Sequence, residues 1–233
     1  MGPSASIWLV EWWSFEGLSL MVGRSRLDPE LALAAFNAQF SVTVVVYQLF
    51  QGGLGMASCV LVGKHMGAGR GGRVARIAAV AAGGGILLVA VVCGAMYMLR
   101  RPISQAFTPH LDVQAQIQET MLGPCVSIPG YALFTTLAGV CRGAGRQWMA
   151  TAGTVIGFSA GLGLSWYLGH VLEWPKPLTG IWLGNATALW FAAIVTVAAV
   201  CTMRLSDEGA GGELQHPDDE GPEPPPDLNV DLN

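Results

Sequence analysis

The feature that most constrains this chain is a succession of apolar runs, each long enough to cross a lipid bilayer. A spanning helix needs about 20 mostly apolar residues. Six segments meet that need: 7–22, 31–63, 74–99, 117–140, 148–171 and 178–203. The second exceeds a bilayer's thickness, so part of it should project beyond the hydrocarbon. The runs between them, "RSRLDPE", "KHMGAGRGGR", "RRPISQAFTPHLDVQAQ", "CRGAGRQ" and "LEWPKP", are short and polar. Connections this short make neighbouring spans antiparallel. The expected fold is an all-α membrane protein with six transmembrane helices in residues 1–203.

Charge follows the same division. Only 12% of residues are charged, against roughly a quarter in soluble domains. Nine of the sixteen acids lie from Arg204 onward, in a stretch that includes "GPEPPPD". Residues 204–233 hold too few large apolar side chains to bury, so a disordered, acidic, proline-rich tail is expected there. Placing both termini on the cytoplasmic side puts seven Lys and Arg inside and five outside, a weak positive-inside bias.

Several motifs carry no chemistry in this setting. "GAGRGG" matches a dinucleotide-binding loop, but such a loop needs an acid about 20 residues on, and no Asp or Glu occurs between Glu30 and Asp112. Lys64, Arg70, Arg73 and Arg76 instead make this a basic loop at the headgroups of membrane lipids. Asn185-Ala-Thr187 is a glycosylation sequon inside a span, out of an enzyme's reach. The five cysteines form no CxxC pair, and the four histidines have no metal-ligand spacing. No nucleophile elbow, P-loop or nucleic-acid motif is present, so an enzyme is not expected, nor a cofactor, metal or nucleic-acid partner. Gly153, Gly157 and Gly161 recur every four residues, a face on which another helix can come close. Gly83, Gly84 and Gly85 should do the same or bend their helix.

The acids within the spans stand apart from this inventory. Glu11 and Glu16 lie in "EWWSFE", inside the first apolar run, whereas Glu119 lies at a span edge. An ionised carboxylate at bilayer depth costs about 2.5–3.5 kcal/mol on insertion scales. Two in one span suit a water-filled cavity that handles a proton or a cation. At 100° per residue the two are about 140° apart around the helix. Trp12 and Trp13 share a face with Glu16, and a carboxylate beside two indoles suits an organic cation. Glu11 points elsewhere, as a proton site or toward the helix-bundle interior. Low dielectric disfavours the charged form of a buried acid, which makes such groups exchangeable with protons.

At these residues the chain resembles a known family. "EWWSFE" in the first span, "ASCVLVGKHMGAGR" ending the second, "RRPISQAFT" after the third, "AGVCRGAGRQ" after the fourth and "GIWLGN" opening the sixth occur in that order. Together they resemble the C-terminal half of a multidrug and toxic compound extrusion (MATE) transporter of the eukaryotic type. The resemblance implies one six-helix lobe of a twelve-helix antiporter that exports small organic cations and other xenobiotics. The coupling ion would be a proton or sodium. It also implies that Glu11 and Glu16 belong to the substrate and proton site. Tyr131 stands where the family often has a fourth-span acid, Gln51 where it usually has a proline, and Leu61 where it usually has an arginine. A proline is also usual near Leu164. These departures put acid coupling and helix bending in question.

The resemblance leaves three functional readings. The chain is a MATE-type antiporter present as its C-lobe; an inactive or partner-dependent half that needs an N-terminal lobe or another half-transporter; or a related lipid-linked sugar flippase. All twelve Lys and Arg sit at loops or span ends, which disfavours the flippase. The protein should be a multi-pass membrane protein, with the plasma and vacuolar membranes both open.

Overall fold

A computed structural model of the chain describes residues 3–172 and 176–213, with side chains described for 9–172 and 176–202. The described residues form nine α-helices: α1 (Pro3–Gly23), α2 (Pro29–Gln48), α3 (Met56–Gly67), α4 (Val74–Met98), α5 (Arg100–Phe107), α6 (Leu111–Thr120), α7 (Leu122–Gly143), α8 (Gln147–Trp166) and α9 (Pro177–Glu213). A π-helical segment, Leu49–Gly55, joins α2 to α3 without a break, and another, Tyr167–Val171, extends α8. No strand occurs among the described residues.

Local chemistry sets the ends of these helices. Asp28 caps α2, its carboxylate accepting from Glu30 N at 2.9 Å, and Pro29 takes the first helical position. A side chain that accepts from the first free amides, followed by proline, is a strong start signal. The two "GAGR" sequences end α3 and α7 in the same way. Gly69 and Gly145 adopt φ of 68° and 73°. Arg70 N then donates to His65 O at 2.9 Å, and Arg146 N to Cys141 O at 2.8 Å. A left-handed residue followed by this back-reaching bond closes a helix's last carbonyls, and glycine adopts it without strain. The "GAGRGG" glycines are thus a helix stop and a turn.

Among the described residues, four helices are long and apolar enough to cross a membrane: the continuous Pro29–Gly67 rod, Gly71–Met98, Leu122–Gly143 and Pro177–Thr202. They correspond to the second, third, fourth and sixth expected spans. The helices at the first and fifth positions have 21 and 20 residues but fall short in apolarity. Acids and indoles lower it in α1, glycine and hydroxyl residues in α8.

Two expectations need correction. The segment read as a loop after the third span folds into α5 and α6, and the fourth span begins at Leu122 rather than at Ile117. Gln118 donates to Ser104 Oγ at 2.8 Å, tying α6 to α5. Ile103, Val113 and Ile117 turn inward against the core. Because this pair is amphipathic rather than uniformly apolar, a search for spans overlooks it. At the other end, α9 continues past Met203 to Glu213, and 214–233, most of the expected tail, lies outside the described residues.

α7 occupies the middle of the bundle, packing on α9, α4, α3 and the first π segment, while α8 packs between α9 and α1. Glycine permits these approaches. A Cβ at Gly139 would strike the Gly55 carbonyl, one at Gly143 the Cys59 carbonyl, and one at Gly161 the Ala188 side chain. At Gly157 it would lie 2.8 Å from Ala188 O. The Gly153-Gly157-Gly161 face therefore seats α9, as its spacing predicts. The Gly83–Gly85 run does not match its expectation throughout: only Gly85 meets a neighbour, Leu54 at 3.3 Å, while Gly83 and Gly84 open onto space.

A buried amide fastens the periphery to this core. Gln39 of α2 donates to Thr120 Oγ1 at 2.7 Å and to Ile117 O at 3.0 Å, and accepts from Trp182 Nε1 at 2.9 Å. One fully used side chain thus joins α2, α6 and α9. Buried amides are stable in such settings when each donor and acceptor is matched.

Candidate functional site

The inner face of α1 carries Glu11, Ser14, Phe15, Leu18 and Val22, all buried. Glu11 is 5% exposed, although its residue type is almost never found inside without a partner. Its partner is Tyr131, whose hydroxyl donates to Glu11 Oε1 at 2.5 Å from the middle of α7. Tyr131 is itself 1% exposed. Tyr47 of α2 stacks on the Tyr131 ring, with centroids 3.9 Å apart and planes 18° from parallel. The phenol is thus clamped between an acid and a second aromatic ring, and its χ angles are fixed by packing rather than by the single hydrogen bond.

Further polar groups converge on the same level. Gln51, from the π segment, and Arg142, near the end of α7, stand near the Glu11 carboxylate. Ser127 and Asn185 stand beside the Tyr47 hydroxyl. Glu11 Oε2, Gln51 Oε1, Tyr47 OH and Asn185 Nδ2 are buried without a hydrogen-bond partner among the described residues. Buried polar atoms are normally satisfied, and exceptions gather where a structure binds or moves something. The crevice bordered by Glu11, Trp12, Phe15, Phe40, Tyr47 and Tyr131 has a volume of about 10 Å³. That is room for about one water molecule, and far too little for an organic cation.

The other sequence-predicted residues lie on the opposite side of α1. Trp13 is 74% exposed and Trp12 45%, and Glu16 is exposed with them. Trp12 also borders the Glu11 crevice, so it stands between the two acids. Of the five candidates, Glu11, Tyr131 and Trp12 are brought together, while Glu16 and Trp13 remain on the outer face. Glu119 lies near the end of α6 and pairs with Lys176 at 2.8 Å, with both side chains about half exposed.

Sequence reasoning missed Tyr47 and Gln51. Their spacing of four residues, in an otherwise apolar run, puts both on one helix face and was the available signal. Gln51 lies within the first π segment, where the family resemblance puts a proline, and the second π segment follows Leu164. A π turn breaks the regular ladder much as proline does, and such bulges are frequent at functional sites. Among the described residues no group of His, Cys, Asp and Glu could hold a metal ion, and Asn185, the sequon residue, is buried within α9.

Comparison with known proteins agrees with this architecture. The family model described as MatE matches residues 3–167. Multidrug and toxin extrusion protein 2 of Oryctolagus cuniculus is 29% identical over 91% of this chain and 34% of its own length. Protein DETOXIFICATION 7 of Arabidopsis thaliana is 28% identical over 83% of this chain and 38% of its own length. The chain therefore spans about a third of the curated relatives it matches. The crystal structure of the eukaryotic MATE transporter AtDTX14 superposes on 91% of this chain and 47% of its own, with a TM-score of 0.78 at 24% identity. The rabbit relative is a multidrug and toxin extrusion protein by name, and with the family model matching most of its sequence, this chain belongs to the MatE family of membrane transporters.

Proposed function

We propose that the chain acts as the C-terminal lobe of a proton-coupled efflux transporter for organic cations, with Glu11 as its proton-binding group. The observation that carries this reading is the buried Glu11 carboxylate, bonded on one oxygen by Tyr131 and without a partner on the other. A lone acid in that setting changes charge by gaining or losing one proton, and its small crevice suits nothing larger. The aromatic clamp on Tyr131 keeps the donor in place in both charge states.

The cation would meet the outer face of α1. Trp12 and Trp13 offer indole faces there and Glu16 a carboxylate, the combination that favours a flat organic cation. Trp12, bordering the inner crevice as well, gives the two sites a shared wall. Protonation of Glu11 would then alter how α1 packs on α7 and so what its outer face presents, the coupling that alternating access requires. An exposed face of this kind completes a cavity when another lobe covers it, which also favours a half that works with a partner lobe.

The test is proton-driven efflux of a fluorescent organic cation from vesicles containing the chain, alone and with a partner lobe supplied. Glu11→Gln should abolish proton dependence, and Glu16→Gln should weaken cation binding while leaving proton dependence intact. Robust efflux with both variants indistinguishable from wild type would sink the assignment.

A further inference from the structure

An open groove runs between α3 and α4, away from the acid site. Its volume is about 610 Å³, within the range of small-molecule sites. Leu54, Ala57 and Leu61 form one wall, and Ile77, Val80 and Gly84 the other. The helices are antiparallel neighbours, so each apolar wall is about 10 Å long at 1.5 Å per residue. Leu54 packs at 3.3 Å on the position of a Gly85 Cβ and closes the deep end. A Cβ at Gly84 would meet nothing within 4 Å, so that side of the groove is open.

Apart from the buried Ser58, the polar lining gathers at the opposite end. His65, Arg73 and Arg76 line the groove there, and Lys64 and Arg70 are exposed on the same turn. His65 Nδ1 lies 2.9 Å from Leu61 O, an acceptor, so Nδ1 carries the hydrogen and the ring is held by its own helix. No Asp or Glu occurs in the sequence between Glu30 and Asp112, so neither α3 nor α4 carries an acid beside these cations. A groove that is apolar for most of its length and cationic at one mouth is complementary to an amphiphile with an anionic head.

We propose that this groove is a binding site for an anionic phospholipid: one acyl chain lies between α3 and α4, and Arg73 and Arg76 hold the net-negative headgroup. Two guanidinium groups offer forked donors that match its phosphate and carboxylate oxygens together. The assignment is independent of how the acid site works.

The experiment uses the full chain in phosphatidylcholine nanodiscs doped with a phosphatidylserine, or a phosphatidylcholine, carrying a photoreactive group in its acyl chain. Phosphatidylserine should label α3 and α4 peptides about tenfold more than phosphatidylcholine does, given what each basic residue contributes at an anionic surface. Arg73→Gln with Arg76→Gln should remove that preference. Gly84→Leu, which only fills open space, should cut labelling by either lipid, and it serves should the arginine variant fail to fold. Equal labelling by the two lipids, or labelling unchanged in both variants, overturns the proposal. So does crosslinking of the groove peptides to a second copy of the chain or to another protein in place of lipid.

Discussion

α4 and α7 are both span-length helices, and they differ in the opposite sense to what a soluble protein would show. The apolar window of α4 has a mean hydropathy of 2.4 with 17% of its residues buried; that of α7 has 1.4 with 83% buried. The more apolar helix is the more exposed one. Lipid tails are as apolar as leucine, so a membrane helix gains little by hiding apolar side chains. What it must hide is polar chemistry and small-residue contact. α7 therefore carries Tyr131, Thr135 and the packing glycines inward, while α4 lines its open side with the walls of the α3–α4 groove.

The comparison breaks most visibly at glycine. Gly139→Leu drives a side chain into the Gly55 backbone and should cost more than about 3 kcal/mol, the upper range of overpacking. Gly83→Leu, in open space on α4, should stay within about 0.5 kcal/mol of wild type. Thermal unfolding in detergent, read by fluorescence-detected size exclusion, separates the two. Equal melting would mean that α7 is not the tight helix of the pair.

A smaller effect is expected at the buried amide. Gln39→Leu leaves the Trp182 indole N–H without its acceptor, while Thr120 keeps its bond to Gln116 O, at about 1–3 kcal/mol for an orphaned buried group. Trp182→Phe removes one donor instead and should cost less. If the order is reversed in the same melting assay, the tie runs through indole packing and not through the amide.

Tyr131 of α7 and Tyr47 of α2 should differ in the same way. Tyr131→Phe deletes the bond to Glu11 and should cost about 1.5–3 kcal/mol, the range for hydrogen bonds to charged groups. Tyr47→Phe keeps the stacked ring and removes a hydroxyl with no partner, so it should fall within about 0.5 kcal/mol of wild type. A large loss at Tyr47 would show that its hydroxyl is engaged.

Much of this was legible in the sequence. Span-length apolar runs located the long helices, the four-residue glycine spacing identified the face of α8 that seats α9, and the helical angle between Glu11 and Glu16 set them on different sides of α1. Other features were hidden for physical reasons. The α5–α6 pair is amphipathic, so span counting passes over it. Tyr131 registers in a sequence only as the loss of an acid, because its contact with Glu11 joins residues 120 positions apart. The π segment at Gln51 has no signature residue, since glycine and glutamine permit a π turn without demanding one.

The central claim is that Glu11, and not Glu16, is the acid that exchanges a proton inside the lobe. Infrared difference spectroscopy of the purified chain, titrated with acid, tests it without requiring transport. The expected result is a carboxylic-acid carbonyl band that disappears in Glu11→Gln, shifts in Tyr131→Phe as its hydrogen bond is lost, and survives in Glu16→Gln. A band of unchanged amplitude and frequency in Glu11→Gln would contradict the account.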